Sequence, residues 1–287
     1  MPEDDTLFHR RAHPAARTLN DDAETMTDTL QGKNALVCGS TQGIGRACAM
    51  ELARLGAEVT LMARNEAGLQ KVRQELPSDH GQSHGSIVAD FCDWEVVRDK
   101  ATRHVEANGP IHILLNNTGG PPAGPVFEAP SDQLIGAFTQ HLLCNHILVQ
   151  TLAPGMRDAG YGRIVNIIST SVVQTIKGLG VSNVIRGAVA NWARTLACEL
   201  GPFGITVNNI LPGYTRTARL DSIIQGRANR AGSTVQEIEG QMIANVPLGR
   251  FAAPQEIAAV AGFLASPSAA YINGVNLPVD GGRLAGQ

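Results

Sequence analysis

No apolar run in this chain of 287 residues approaches the ~20 needed to span a bilayer, although 43% of its residues are hydrophobic. A membrane-embedded protein is therefore not expected. Charge of one sign is also lacking: 23 basic against 26 acidic residues leave a formal −3. That balance gives no reason to expect nucleic acid or an anionic membrane as partner. The amino-terminal stretch lacks the apolar middle segment of a secretory signal peptide. Cysteine is sparse, odd in number and scattered (38, 48, 92, 144 and 198), with no paired spacing. This argues against a disulfide framework or a zinc site and for reduced thiols in the cytoplasm. Residues 1–31 carry alternating charge without an apolar face, and are expected to form a flexible extension or an oligomer arm.

What the chain does have begins at Lys33. The apolar run Asn34-Ala35-Leu36-Val37-Cys38 empties into Gly39-Ser40-Thr41-Gln42-Gly43-Ile44-Gly45, and a helical pattern follows from Arg46. Glycines here let the backbone turn tightly and approach a diphosphate, whose charge then sits at a helix N-terminus. The spacing is Gly-x-x-x-Gly-x-Gly, and a lone glycine loop is also compatible with an ordinary strand-to-helix turn.

The pattern beyond alternates strand with helix. Short apolar runs predict strands at 33–38, 58–62, 85–89, 111–115, 163–168, 205–210 and 275–279, as in a parallel sheet covered on both faces. Helices are expected at 43–55, 66–76, 93–107, 131–158, 182–201 and 254–265. Such repeats give an α/β fold, a single doubly wound parallel sheet with helices on both faces. No linker or second core interrupts residues 32–287. The segment 214–246, with Arg216, Arg219, Arg227 and Arg230, is too long for a plain connection and is expected to form a helical flap.

Taken in order, the glycine loop, Asp90, Asn116-Asn117-Thr118-Gly119, Ile164 to Ser169, Pro212 to Thr217 and Pro278-Val279-Asp280-Gly281-Gly282 resemble the classical short-chain dehydrogenase/reductase family. The 3-oxoacyl-reductase-like branch is the nearest in pattern. The resemblance covers about residues 33–283 and implies a Rossmann-type sheet binding a nicotinamide cofactor. Residues 39–45 would cradle the diphosphate. Asp90 would meet the adenine amino group, or else cap the helix near Asp93. Asn116 would support the adenosine side and the strand geometry, with Thr118 replacing the usual alanine before Gly119. Pro212, Gly213, Thr215 and Thr217 match the segment at the nicotinamide carboxamide.

The tip of the second strand reads Leu61-Met62-Ala63-Arg64-Asn65. An NAD site places a carboxylate there for the ribose 2′-hydroxyl. Here Ala63 takes that place and Arg64 follows, a guanidinium suited to a 2′-phosphate. NADP(H) is therefore favoured over NAD(H), with Arg64 and Asn65 as candidate contacts. The alternative is that Arg64 is merely a solvated helix-start charge.

The family reduces carbonyls with Ser, Tyr, Lys and Asn. Ser169 falls where the serine is expected, but Ser182 stands at the tyrosine position and Arg186 at the lysine position. Counting back from Pro154-Gly155-Met156 puts His141 at the asparagine position. An aliphatic hydroxyl is a far weaker acid than a phenol, so Ser182 cannot replace tyrosine as an equal proton donor. Arg186, one turn from Ser182, can stabilise an oxyanion or hold ribose hydroxyls. His141 is either the general acid or a helix residue facing solvent or a water chain. Lys177 either binds an acidic substrate or is solvated. Three functions follow: an NADPH carbonyl reductase, a tyrosine-less conjugate (enone) reductase, or a decayed nucleotide-binding regulator or scaffold. The partner expected is a small-molecule substrate; the segment from Pro247 to Gly282 resembles the family's tetramer-forming carboxyl terminus, and a homotetramer or homodimer is expected.

Overall fold

The computed structural model describes residues 29–285. Seven strands make one parallel sheet: β1 (Asn34–Cys38), β2 (Glu58–Ala63), β3 (Gly85–Val88), β4 (Ile113–Asn116), β5 (Gly162–Ile167), β6 (Ile205–Pro212) and β7 (Asn276–Val279). Their spatial order is β3-β2-β1-β4-β5-β6-β7. The order reverses between β1 and β4, where a crevice opens at the carboxyl ends of the strands.

Alternation along each strand divides the core. Ala35 and Val37 of β1, with Val59 and Leu61 of β2, pack beneath α1 (Gly43–Arg54), α2 (Glu66–Glu75) and α9 (Pro254–Ala265). Leu36 and Cys38, with Met62, pack on the other face against α3 (Trp94–Asn108), α5 (Cys144–Asp158) and α6 (Gly180–Leu200). A strand apolar at successive positions can bury both faces in this way. Each fully buried Leu or Ile contributes roughly 1.5–3 kcal/mol relative to exposure.

The helix expected over 131–158 is broken. It forms α4 (Ser131–Phe138), a π-helical turn over Thr139–Leu143, and then α5. The segment 214–246 folds as a helical pair, α7 (Ala218–Ala231) and α8 (Val235–Ala244). Thr217 caps α7, its Oγ1 accepting the Leu220 N–H at 3.3 Å, and a Thr234–Glu237 capping box starts α8. Leu220, Ile224 and Ala228 meet Ile238 and Met242 in a small core of their own.

An asparagine ladder crosses four strands, from the carboxyl end of β4 to the start of β7, and is buried at Asn116, Asn166 and Asn209. Asn116 Nδ2 donates to Asn166 Oδ1 at 2.9 Å, Asn166 Nδ2 to Asn209 Oδ1 at 2.9 Å, and Asn209 Nδ2 to Asn276 Oδ1 at 2.8 Å. The register pairs each residue directly with the next. The expected extension over 1–31 lies outside the described residues up to position 28. Its last part belongs to the fold: Leu30 is fully buried and its N–H donates to Leu55 O at 2.7 Å. Among the described residues no helix is long and apolar enough to cross a membrane.

Candidate active site

A cavity of about 500 Å³ occupies the crevice. Gly39, Gln42, Gly43 and Ile44 form its floor at the start of α1. Thr118 and Gly119 follow β4, Ser169 follows β5, and Ser182 and Arg186 project from α6. Pro212, Gly213, Thr215 and Thr217 close the far wall from the end of β6. These residues, far apart in sequence, meet because parallel strands deliver every carboxyl end to one edge.

The glycine loop fits a diphosphate. Gly39 and Gly43 adopt φ of +59° and +54°, a region glycine enters without steric cost. A Cβ on Gly39 would collide with the Asn117 carbonyl, and one on Gly45 with the Gly39 carbonyl. The Gln42 side chain makes no capping bond to α1, so the first-turn N–H groups have no side-chain acceptor from the cap residue. Ser40 lies buried under the loop, its Oγ unpartnered among the described residues. Neither Ser40, Thr41 nor Gly45 lines the cavity. Asn117, which the sequence reading did not single out, pins this loop: its Nδ2 donates to Cys38 O at 3.3 Å and Gly39 O at 3.2 Å.

Arg64 after β2 and Asp90 after β3 do not line the cavity; they approach each other on the surface, Nη1 to Oδ2 at 3.8 Å, with both side chains well exposed. The cap of α3 is Asp93, whose Oδ1 accepts the Val96 N–H at 3.1 Å. Asp90 instead accepts the Cys92 N–H at 3.0 Å. Two of the candidate cofactor residues have structural roles of their own. Asn65 is the cap of α2, its Oδ1 accepting the Gly68 N–H at 3.0 Å, so that oxygen is engaged with its own helix. Asn116 is 2% exposed and does not line the cavity; it holds the strands together through the ladder.

On the catalytic side, Ser169 Oγ accepts the Ser171 N–H at 3.0 Å, which leaves its own O–H free to donate. The Arg186 guanidinium is 8% exposed and donates from Nη1 to Ile167 O at 3.3 Å. Burial, and secondarily the charge of Arg219, push its pKa down to about 10, so it remains a cation at neutral pH. Arg219, another residue the sequence reading left among the flap charges, donates from Nη2 to Pro121 O at 2.6 Å. It thereby ties α7 to the loop after β4.

His141 is not placed as the general acid requires. It sits in the π-helical turn, 1% exposed and outside the cavity lining. Its Nδ1 is hydrogen-bonded to Thr118 Oγ1 at 2.5 Å, and its Nε2 has no partner among the described residues. Burial first, and the Arg186 charge second, push its pKa down to about 2. The imidazole is therefore neutral behind Thr118, facing neither solvent nor the crevice. Lys177 is exposed and lines a smaller cavity of about 80 Å³ that adjoins the large one.

Comparison with known proteins gives the family. The family profile described as Enoyl-(Acyl carrier protein) reductase matches residues 39–283. The chain is 32% identical over 257 residues to the 3-oxoacyl-[acyl-carrier-protein] reductase FabG of Pseudomonas aeruginosa, covering 88% of this chain and 98% of that one. L-sorbose reductase from Gluconobacter frateurii, solved with NADPH and L-sorbose, superposes with a TM-score of 0.84 at 29% identity, over 90% of this chain and 99% of the other. YwfH, an NADPH-dependent reductase involved in bacilysin biosynthesis, superposes with a TM-score of 0.83 at 25% identity, over 88% and 98%. The chain belongs to the classical short-chain dehydrogenase/reductase family.

Proposed function

We propose that this chain is an NADP(H)-linked oxidoreductase acting on the carbonyl group of a small molecule, with Ser182 and Arg186 standing where the family has tyrosine and lysine. The observation that carries this reading is the single cavity in which the glycine loop, Thr215, Thr217, Ser169, Ser182 and Arg186 converge. The bound cofactor supplies or accepts a hydride. The N–H groups of the glycine loop and of the start of α1 would hold its diphosphate, and Arg64 its 2′-phosphate. Asp90 would take the adenine amino group, Thr215 and Thr217 the carboxamide, and Arg186 the ribose beside the nicotinamide.

Ser169 and Ser182 donate hydrogen bonds to the substrate oxygen and fix its orientation. Arg186, anchored on the Ile167 carbonyl, stabilises the negative charge that develops on that oxygen. Arg186 remains a cation at neutral pH, so its part is to hold the developing negative charge, and His141 is neutral and buried. Water entering the crevice supplies the proton.

A second reading, reduction of a conjugated carbon–carbon double bond, is favoured by Arg186 itself. An enolate needs a fixed cation near its oxygen more than it needs a phenol. Similarity to YwfH, an NADPH-dependent reductase, supports the same cofactor under either reading. NADPH absorbance followed with 3-oxoacyl thioesters, simple ketones and enones separates the two. Saturable NADPH binding with no turnover on any of them would favour a nucleotide-binding regulator.

Residues 32–287 would act as one catalytic unit with 214–246 as the substrate flap. Exposed Val184 on α6, together with Leu248 and Tyr271, supports a homotetramer or homodimer, which light scattering would establish. Free thiols at all five cysteines are in keeping with a cytoplasmic location.

A further inference from the structure

Several cations along the substrate side of the crevice have no carboxylate beside them. The large cavity is lined by Arg46, Arg186, Arg216, Arg219 and Arg227 and by no Asp or Glu. Arg46 is paired with Glu75 at 2.7 Å, and Arg216 with Glu239 at 2.5 Å. Arg186, Arg219 and Arg227 have no such ion pair among the described residues. The adjoining small cavity repeats the pattern, with Lys177, Arg219, Arg227 and Arg230 on its walls and again no acidic residue. It shares Leu179, Arg219, Ile223 and Arg227 with the large one. Concave walls carrying charge of one sign focus the field and concentrate counter-ions.

The position of the small cavity separates it from the cofactor. Its walls come from the loop after β5 (Lys177, Gly178), from Ala123 and from α7, with no residue of the glycine loop, β2 or β3. The charges there stand apart from Arg64 and from the diphosphate cradle. The carboxylates of Glu239 and Asp221 face Arg216, the latter at 4.0 Å. Arg219 carries the charge inward, since its guanidinium bonds Pro121 O and its charge reaches Arg186.

We propose that the substrate bears a carboxylate or phosphate group, bound by Lys177, Arg227 and Arg230 at the outer end of the crevice with Arg219 at its throat. The proposal rests on the reading of the crevice as an oxidoreductase site and names the class of compound that site takes. A ketone or enone carrying such an anion would lie with its charge under α7 and its reacting carbon toward Ser169 and Ser182.

The test is isothermal calorimetry of the full chain, free and NADP⁺-loaded, titrated separately with malonate and with inorganic phosphate. The comparison variants are Lys177→Ala/Arg227→Ala/Arg230→Ala and the milder Lys177→Ala/Arg230→Ala, whose two sites are exposed. Circular dichroism confirms that each is folded. Saturable binding of either anion is expected, weakened at least about tenfold in the triple variant and by a smaller factor in the double, while NADP⁺ affinity stays within about twofold. Binding of malonate alone identifies a carboxylic acid substrate, and binding of phosphate alone a phosphorylated one. No binding of either anion to the wild type, or equal binding in folded triple variant, overturns the proposal. Loss of NADP⁺ binding with anion binding intact would instead strike at the oxidoreductase reading.

Discussion

The hydroxyl of Thr118 and the imidazole of His141 are joined by a 2.5 Å hydrogen bond, and of the two residues only Thr118 lines the crevice. The π-helical turn at Thr139–Leu143 carries the imidazole inward, behind the loop that follows β4. The result is a buried base held neutral beside a buried cation, Arg186. This arrangement has consequences for stability as well as for catalysis.

His141 makes folding sensitive to acid. Its pKa is about 2 in the folded protein against ~6.5 in an unfolded chain, so the unfolded state binds more protons between those values. The stabilisation is complete above about pH 6.5 and is lost as pH falls below it, at up to ~1.4 kcal/mol per pH unit. His104 and His112, also lowered by burial, act in the same direction. Urea unfolding between pH 7 and 5 should show a shallower pH slope in His141→Asn than in the wild type. Turnover by that variant should keep its pH profile near neutrality. An unchanged slope would refute the buried, neutral imidazole.

The asparagine ladder is a fully paired polar seam up to its ends, so breaking it in the middle should cost more than its surface suggests. Asn166→Leu leaves the Asn116 amide without its acceptor and the Asn209 oxygen without its donor. Each buried polar group left unpaired costs roughly 1–3 kcal/mol. Calorimetric melting should show a drop of several degrees, and a variant melting like the wild type would contradict the ladder.

Gly39→Ala should abolish nucleotide binding before it abolishes folding. The new Cβ meets the Asn117 carbonyl in a backbone conformation of φ +59°, so either the loop or the end of β4 must move. NADPH fluorescence titration should show affinity weakened by more than about tenfold, with the circular dichroism of the sheet retained. Binding equal to the wild type would remove the loop from the cofactor site.

Much of this was legible in the sequence because it is local. Most strands centre on a short apolar run, and the starts of α2, α3 and α7 follow Asn, Asp and Thr. The glycine loop announces itself within seven residues, Gly39 to Gly45. What was not legible depends on register or on burial. Asn116, Asn166, Asn209 and Asn276 are separated by tens of residues, and only strand pairing shows that they bond in series. That Asn65 caps a helix and that Asn116 ties strands through a side-chain ladder is visible only in the hydrogen bonding. The neighbouring Asn117 points to the opposite side of the strand end, where its amide pins the glycine loop. His141 falls within one continuous helical pattern over 131–158, and no residue type there signals the π-helical turn. That turn decides whether the imidazole faces water or Thr118.

Arg64 tests the phosphate form of the cofactor. Its contact with Asp90 at 3.8 Å between exposed groups contributes little to stability, ~0–1 kcal/mol. Arg64→Ala should therefore melt like the wild type, bind NADPH about tenfold more weakly and bind NADH within about twofold of the wild type. Equal losses for both nucleotides would assign Arg64 to the adenosine in general rather than to the 2′-phosphate.

The central claim is that Arg186, with Ser169 and Ser182, completes a working reductase with serine at position 182 in place of the family's tyrosine. The direct measurement is NADPH oxidation by wild type and Arg186→Leu across a panel of ketones, 3-oxoacyl thioesters and enones, with NADPH affinity recorded in parallel. Substrate-dependent oxidation by the wild type is expected, falling by about 10²–10³ in the variant, as for loss of an oxyanion donor. A wild type that binds NADPH saturably yet oxidises it with none of these substrates, or a variant as fast as the wild type, would contradict the account.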